Sequence, residues 1–396
     1  MADCAQGNDG GIAPGCMTTS DNFYEGREHS EVKHSFVRSY LEALAVKLAM
    51  FGYTTINFVD GFAGPWDVRD EETLSDTSFV SAISTLESVR AFAASKGKSI
   101  RTRYLLCEKD PTAFRKLNAF AASRDENVHV FEGEFEDSLG KIGAVIDSAK
   151  DFTLTFIDPK GWKLDSAKIF DFLRAQQHGE VLLNFMSDHI NRHAEFDGVN
   201  ASFGMFLGNP DWREEYDALQ LDASPEKKML HLFKRKLERE QIAKFCPDMP
   251  IREKDKERTK MRLLLGTRSA KGVVAFRDVQ RKEQEKEQKG RDARREARSG
   301  QTNFFSALEQ MPDDPRREFI GSAEEMERAE LWVRDTLAVT KVMEFQELAP
   351  YVLSEAAVRE PDLKKVLKSM KERGQVRYDL PSGKRVPQPD TVVHLV

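Results

Sequence analysis

The sequence predicts an α/β protein built on a doubly wound, mostly parallel sheet, with a small helical unit at its C-terminal end. Three observations carry this reading. Short apolar or β-branched runs recur roughly every 25 residues between Thr54 and Phe185, and stretches of helical period separate them. The last 75 or so residues then change to closely spaced helices followed by a hairpin pattern.

In chain order, residues 1–26 are rich in Gly, Ser, Asp and Asn and read as a flexible tail with neither the basic start nor the apolar stretch of a secretory signal. Glu31 to Phe51 places Phe36, Tyr40, Leu41, Leu44 and Leu48 on one helical face, and Gly52 stops it. Strands are predicted at Thr54–Val59, Arg103–Cys107, Val128–Phe131, Thr153–Ile157 and Glu180–Phe185. Helices are predicted between them at Thr77–Ala94, Pro111–Ser123 (Asp110 as N-cap), Leu139–Lys150 and Ser166–Gln176. From about 194 to 258 the pattern is helical and aromatic, an expected insertion before a late strand, Arg262–Leu265, and a helix after Gly272. A main domain is thus expected over 27–280, a charged linker over 281–320 and a terminal domain over 321–396. The mixed-sign run Gln280 to Arg298 reads as a solvated helix or linker, with a nucleic-acid-binding arm as the alternative.

Bulk composition excludes some classes. An apolar content of 40% supports a packed core rather than wholesale disorder. No run approaches the 18 or so apolar residues of a membrane-spanning helix, so no membrane association and a cytoplasmic location are expected. Cys4, Cys16, Cys107 and Cys246 form no CxxC pair, which points to reduced thiols rather than a zinc or iron–sulfur site. His189 and His193 lie i, i+4 but lack a third ligand in sequence, so no metal is expected. A net charge of -6 argues against a chain that coats nucleic acid with its whole surface, while leaving local basic patches open.

The chemistry concentrates at strand ends. Asp60-Gly-Phe-Ala-Gly64 follows the first strand, and its glycines let backbone pass close to a ligand. Asp60, Gly61, Phe62, Ala63 and Gly64 are therefore candidate cofactor-binding residues, with Glu108 at the second strand end placed to accept ribose hydroxyls. Glu134, after the third strand, could accept a hydrogen bond from an adenine amine; an ordinary surface acid explains it equally well. No GxxxxGK[ST] is present, so a P-loop is excluded, and Pro65 and Trp66 stand where a dinucleotide-binding turn has its third glycine. That combination favours S-adenosylmethionine over a dinucleotide. Asp158-Pro-Lys-Gly-Trp162 ends the fourth strand: a carboxylate or the carbonyl beside Pro159 could take the hydrogens of a planar amino group while Trp162 stacks on it. Asp158, Pro159 and Trp162 are the candidate catalytic residues; a plain turn with Trp162 in the core is the competing reading.

The terminal domain reads as three helices and a two-stranded wing, a winged helix-turn-helix. Its third helix, Pro361 to Arg373, has five basic and two acidic residues. Lys364, Lys365, Lys368 and Lys371 on that helix, with Arg377 and Lys384 on the wing, are candidate phosphate contacts; protein docking is the alternative.

The stretches Lys33–Leu41, Phe58–Pro65, Phe156–Gly161, Val181–Phe185 and Leu263–Gly272 together resemble the three-Cys-motif partner (TcmP) family of bacterial proteins, which are similar to class I methyltransferases. The likeness spans roughly residues 30–280. It implies a Rossmann-like methyltransferase sheet, S-adenosyl-L-methionine as cofactor, and a radical-SAM-like partner carrying the three-cysteine motif, which this chain lacks. It implies Asp60 to Gly64 around the methionine part, Glu108 on the ribose, and Asp158 and Pro159 near the methyl acceptor. Two departures stand out: Asp76-Thr-Ser-Phe79 where the family often has Gly-Ser-Pro, and Lys160 where many amino-methyltransferases have a second Pro. The favoured expectation is a methyltransferase acting on nucleic acid with that partner. A non-catalytic adaptor binding the partner or DNA, and a nuclease or nucleotide-processing component of a defence system, are its competitors.

Overall fold

The computed structural model describes residues 28–64, 77–124, 127–193, 198, 200–219, 223–253, 259–299 and 318–396. The N-terminal tail, Pro65, Trp66, Asp76 and most of residues 300–320 of the expected linker lie outside them.

Seven strands form the main sheet: β1 (Thr55–Asp60), β2 (Arg101–Glu108), β3 (Val128–Glu132), β4 (Phe152–Ile157), β5 (Gly179–Phe185), β6 (Asp248–Arg252) and β7 (Thr259–Gly266). Their spatial order is β3-β2-β1-β4-β5-β7-β6. The first five pair in parallel, whereas β7 runs antiparallel to both β5 and β6. The order reverses between β1 and β4, the switch point where doubly wound sheets of the Rossmann type bind ligands. The predicted α/β sheet is therefore present, with one addition. β6 falls inside the segment expected to be helical; five residues containing Pro250 are too short for a clear period, and only pairing with β7 makes them a strand. As an edge strand β6 tolerates that proline.

Both faces of the sheet are covered, so its strands are continuously apolar rather than alternating in polarity. Alternation instead sorts side chains between two cores. Phe58, Leu106, Phe156 and Leu182 enter one, while Val59, Leu105, Ile157 and Leu183 enter the other. The first core packs beneath α1 (Glu28–Phe51), α2 (Ser78–Ser95), α3 (Pro111–Ala122) and the start of α10 (Ala270–Ser299), where Phe36 meets Phe276 edge-on at 4.9 Å. The second lies beneath α4 (Phe135–Val145), α5 (Ser166–Ala175) and the inserted helices α6 (Ser187–His193), α7 (Asn200–Leu207), α8 (Trp212–Ala218) and α9 (Pro225–Arg239). Asp110 caps α3 through Thr112 and Ala113, with Pro111 following, as the sequence predicts. Helix α4 begins four residues before the predicted Leu139. Glu134 takes an extended N-cap conformation, and Glu136 and Asp137 complement the helix dipole in the first turn.

The charged run is one continuous helix with the segment after Gly272, making α10 thirty residues long. Close approach explains that glycine: a Cβ at Gly272 would collide with the Glu180 carboxylate, which accepts from Tyr40 Oη (2.7 Å) and Thr267 Oγ1 (2.6 Å).

The C-terminal unit consists of α11 (Ala323–Thr340), β8 (Val342–Glu344), α12 (Phe345–Glu355), α13 (Glu360–Glu372), β9 (Val376–Arg377) and β10 (Val392–Leu395). Its sheet has three strands, β8-β10-β9, where two were expected; three-residue β8 carries no periodic signal of its own. A third core centred on Leu337, Leu348, Val352 and Leu367 holds it together and continues into Phe245 and Val273 of the main sheet unit. Arg277 on α10 fastens the junction, donating to the carbonyls of Leu353 (2.7 Å) and Asp248 (2.8 Å).

Candidate active site

The turn after β1 ties that strand's end to those of β4 and β2: Gly61 N donates to Phe156 O (3.1 Å) and Ala63 N to Cys107 O (2.9 Å). Gly133 N, just after β3, adds a fourth strand end by donating to Glu108 O of β2 (3.0 Å). A Cβ on Gly61 would lie 2.9 Å from the Phe135 ring, so the turn sits tightly on α4 and no other residue fits without displacing it. Phe62 packs its ring 5.9 Å from the same phenylalanine, Ala63 is buried, and Gly64 is half-buried.

Asp60 is fully buried and accepts from Phe62 N (3.0 Å) and Ser78 Oγ (2.6 Å), which ties the turn to the first residue of α2. Burial lifts its carboxyl to about 6 despite those two donors, and the charge of Asp158 adds to the rise.

Asp158 follows the last residue of β4, and its two oxygens are held by two different elements. Lys33 Nζ of α1 donates to Oδ2 at 2.5 Å, and Asn184 Nδ2 of β5 donates to Oδ1 at 2.6 Å. Burial pushes this carboxyl up, but Lys33 and Asn184 outweigh it and hold it below the usual carboxylate range. It is therefore ionised at neutral pH. Beside it, burial together with the Lys33 charge pulls His34 down to about 4, so that imidazole is neutral. Asn184 is 3% exposed, and its Oδ1 has no hydrogen-bond partner among the described residues; Ser187 Oγ, at the start of α6, is likewise buried without one. An acceptor left bare in a protein interior is costly and marks a place where a ligand donor would fit.

The remaining predicted residues fall in different places. Glu108 is 2% exposed at the end of β2 and accepts from Asp110 N (2.6 Å), with burial raising its carboxyl. Glu134 is exposed and pairs with exposed Lys109 at 3.2 Å. Pro159 is buried, and its carbonyl closes a turn onto Gly161 N (3.1 Å). Trp162 turns toward the inserted helices: its ring stacks on Phe203 at 4.9 Å, and its Nε1 donates to Ser202 Oγ (3.0 Å). One face of the indole is thus already used.

Lys33, His34 and Asn184 were not singled out from sequence as site residues, yet Lys33 and Asn184 each carried a signal. Lys33 lies on the same helical face as the buried Phe36, Val37 and Tyr40, and Asn184 interrupts the buried apolar run Val181 to Phe185. Charge or amide at a core-facing position needs a partner, and here that partner is Asp158.

In the C-terminal unit the predicted phosphate contacts are partly engaged. Lys364 sits 5.1 Å over the Phe345 ring, and Lys371 donates to Tyr378 O while covering that tyrosine's ring at 4.4 Å. Exposed Lys365 and Lys368 lie 3.4 and 3.8 Å from Asp362 and Glu372, whereas Arg377 and Lys384 are exposed on the strand and loop that follow.

No protein-family model matches the chain, and no curated protein matches it. Among solved structures it is similar to a protein assigned as an O-methyltransferase from Klebsiella pneumoniae (14% identity, TM-score 0.31, covering 64% of this chain and 93% of that one). It is also similar to the METTL16 MTase domain (11%, 0.30, 58% and 65%) and to loganic acid methyltransferase with SAH (9%, 0.29, 66% and 83%). At these TM-scores the likenesses assign neither activity nor ligand.

Proposed function

We propose that this chain is an S-adenosylmethionine-dependent methyltransferase acting on nucleic acid together with a radical-SAM-like protein of the three-Cys-motif type. The observation that carries the reading is the strand-end constellation at the switch point. A glycine turn seated on Phe135, the buried acid Glu108 on the neighbouring strand, and the Asp158–Asn184 pair on the far side of β1 line one edge of the sheet. In this reading Asp60 to Gly64 cradle the amino-acid portion of the cofactor, and Glu108 accepts its ribose hydroxyls. The bound cofactor supplies an electrophilic methyl group. Asp158 and the bare Asn184 Oδ1 take the hydrogens of the incoming acceptor and aim its lone pair, which lowers the barrier by positioning and by preformed electrostatics. The arrangement of α11, β8, α12, α13, β9 and β10 supports a winged-helix reading of the C-terminal unit. Lys365, Lys368 and Arg377 are then the groups best placed to meet phosphate.

Titration calorimetry of the purified chain with S-adenosylmethionine tests this. Binding that Glu108→Ala weakens is the expected result; no binding by the chain, alone or with its partner, would sink it. A non-catalytic adaptor is the second reading, favoured by the occupation of both Asp158 oxygens by Lys33 and Asn184. It requires Asp158→Ala to leave biological activity intact.

A further inference from the structure

A cleft of about 560 Å³, sharing no lining residue with the strand-end site, opens between α9 and the loop after it on one side and α11 and α12 on the other. That size suits a small ligand or one unit of a polymer. Its lining departs from the acidic chain as a whole. Lys234, Arg235, Lys244 and Arg268 stand against Glu238 and Glu355, a local balance of +2 where the whole sequence carries -6.

These cations are not equally available. Lys234 is held by Asp248 at 2.8 Å and Arg235 by Glu238 at 3.2 Å. By contrast, Lys244 and Arg268 have no carboxylate partner among the described residues. Arg268 spends its hydrogen bonds on backbone carbonyls, those of Gln176 (2.8 Å) and Gln241 (3.1 Å), which leave its charge uncompensated. Lys244 Nζ lies 5.2 Å from the centre of the Tyr351 ring. The aromatic side chains of the cleft are also unfinished. Trp332 on α11 and Tyr351 on α12 are half-buried, and neither the indole N–H nor the phenol hydroxyl has a hydrogen bond among the described residues. Flat aromatic surface with free polar tips, beside two uncompensated cations, is the chemistry that recognises a base joined to a phosphate.

We propose that this cleft binds a nucleoside phosphate, with its base against Trp332 and its phosphate on Lys244 and Arg268. The ligand is either a free nucleotide or one residue of a single strand. The inference rests on no part of the methyl-donor reading and would survive its failure.

The test uses the full chain with adenosine 5′-monophosphate, an eight-residue single-stranded oligonucleotide and an acidic peptide, followed by calorimetry and by tryptophan emission. Nucleotide or oligonucleotide should bind and quench emission. Lys244→Glu, at an exposed position, should weaken binding by about tenfold or more, as expected for loss of a charge-assisted contact. Trp332→Phe keeps an aromatic face, so it should retain binding while abolishing the quench. An oligonucleotide that binds about a hundredfold tighter than the nucleotide, through added backbone contacts, identifies a strand site; similar affinities identify a free nucleotide. Absence of binding by both nucleic-acid probes, equal affinity in Lys244→Glu, a quench that persists in Trp332→Phe, or equal binding of the acidic peptide would each overturn the proposal.

Discussion

Two regions of this protein bury charge, and they do so in opposite ways. Where β6 and β7 meet the inserted helix α9, Arg262 is surrounded by Glu226 (3.2 Å), Asp248 (2.7 Å) and Glu318 (2.7 Å), while Lys234 supports Asp248 from the other side. Burial pushes the Asp248 carboxyl up, but Lys234 and Arg262 overcome it and hold that group far below its ordinary range. At the ends of β1, β4 and β5 the accounting is incomplete: Asp60 is lifted to about 6, and Asn184 Oδ1 and Ser187 Oγ are bare. A saturated network behaves as a clamp, whereas an unsaturated one at a strand edge is poised to receive something.

The largest expected effect breaks the clamp. Arg262→Met leaves three buried carboxylates facing one another, and removing one side of a buried ion network costs about 3–5 kcal/mol. Urea unfolding should show that loss. Adding Glu226→Gln to the same variant should restore part of it, because Arg262 is the ion-pair partner of that carboxylate whereas Asp248 keeps Lys234. A loss below about 1 kcal/mol for Arg262→Met would mean that the network is not what holds the inserted helix to the sheet edge.

The next effect is a pH dependence from the unsaturated region. Asp60 is raised in the folded chain from its ordinary 3.8 to about 6, a difference worth about 3 kcal/mol at 1.36 kcal/mol per pH unit. Its contribution is fully present below pH 4 and is lost as pH rises through 6. Asp158 has the opposite sign, because its depressed carboxyl stabilises the fold above its ordinary value and loses that effect only in stronger acid. His34, held neutral in the folded chain, works against Asp60 over the same interval, because its stabilising effect grows as pH rises from 4 to 6.5. The test is therefore the difference between two chains: from pH 4 to 7 stability should rise more, or fall less, in Asp60→Asn than in the native chain. Identical slopes would remove Asp60 as the cause.

How much of this was legible in the sequence follows from the range of the forces involved. The five parallel strands, the Asp110 cap and the glycine turn are set by local pattern, and all are present where expected to within a few residues. β6 and β8 are too short to show a period and exist only through pairing with β7 and β10. The same contrast holds within the site. Asp60, Glu108 and Asp158 announce themselves as acids at strand ends. Lys33 and Asn184 become part of the site only because α1 and β5 converge on β4, contacts 125 and 26 residues distant along the chain. Trp162 is the converse: only four positions from Asp158, it is drawn away by Phe203 and Ser202, which no short-range pattern reveals.

A smaller effect sharpens the ligand side of the comparison. Glu108→Gln keeps the shape of the strand end but replaces an acceptor-only group by one that also donates. Loss of a charge-assisted hydrogen bond corresponds to about 2 kcal/mol, or roughly thirtyfold in affinity for S-adenosylmethionine. Its melting temperature should change little or rise, since burial disfavours the ionised carboxyl that it replaces. Unchanged affinity would detach Glu108 from the cofactor.

The smallest effect comes from the exposed lysines of α13, which belong to neither buried region. Lys365 and Lys368 are 72% and 69% exposed and lie next to acidic neighbours one helical turn away, so Lys365→Ala and Lys368→Ala should each shift stability by less than about 0.5 kcal/mol. Their expected signature is ionic rather than structural. If α13 lies against a nucleic-acid backbone, each substitution should lower affinity similarly for unrelated sequences and flatten the dependence of log affinity on log salt by about one unit. Unchanged salt slopes would assign these lysines to solvation alone and leave the Lys244–Trp332 cleft as the stronger candidate for nucleic-acid contact.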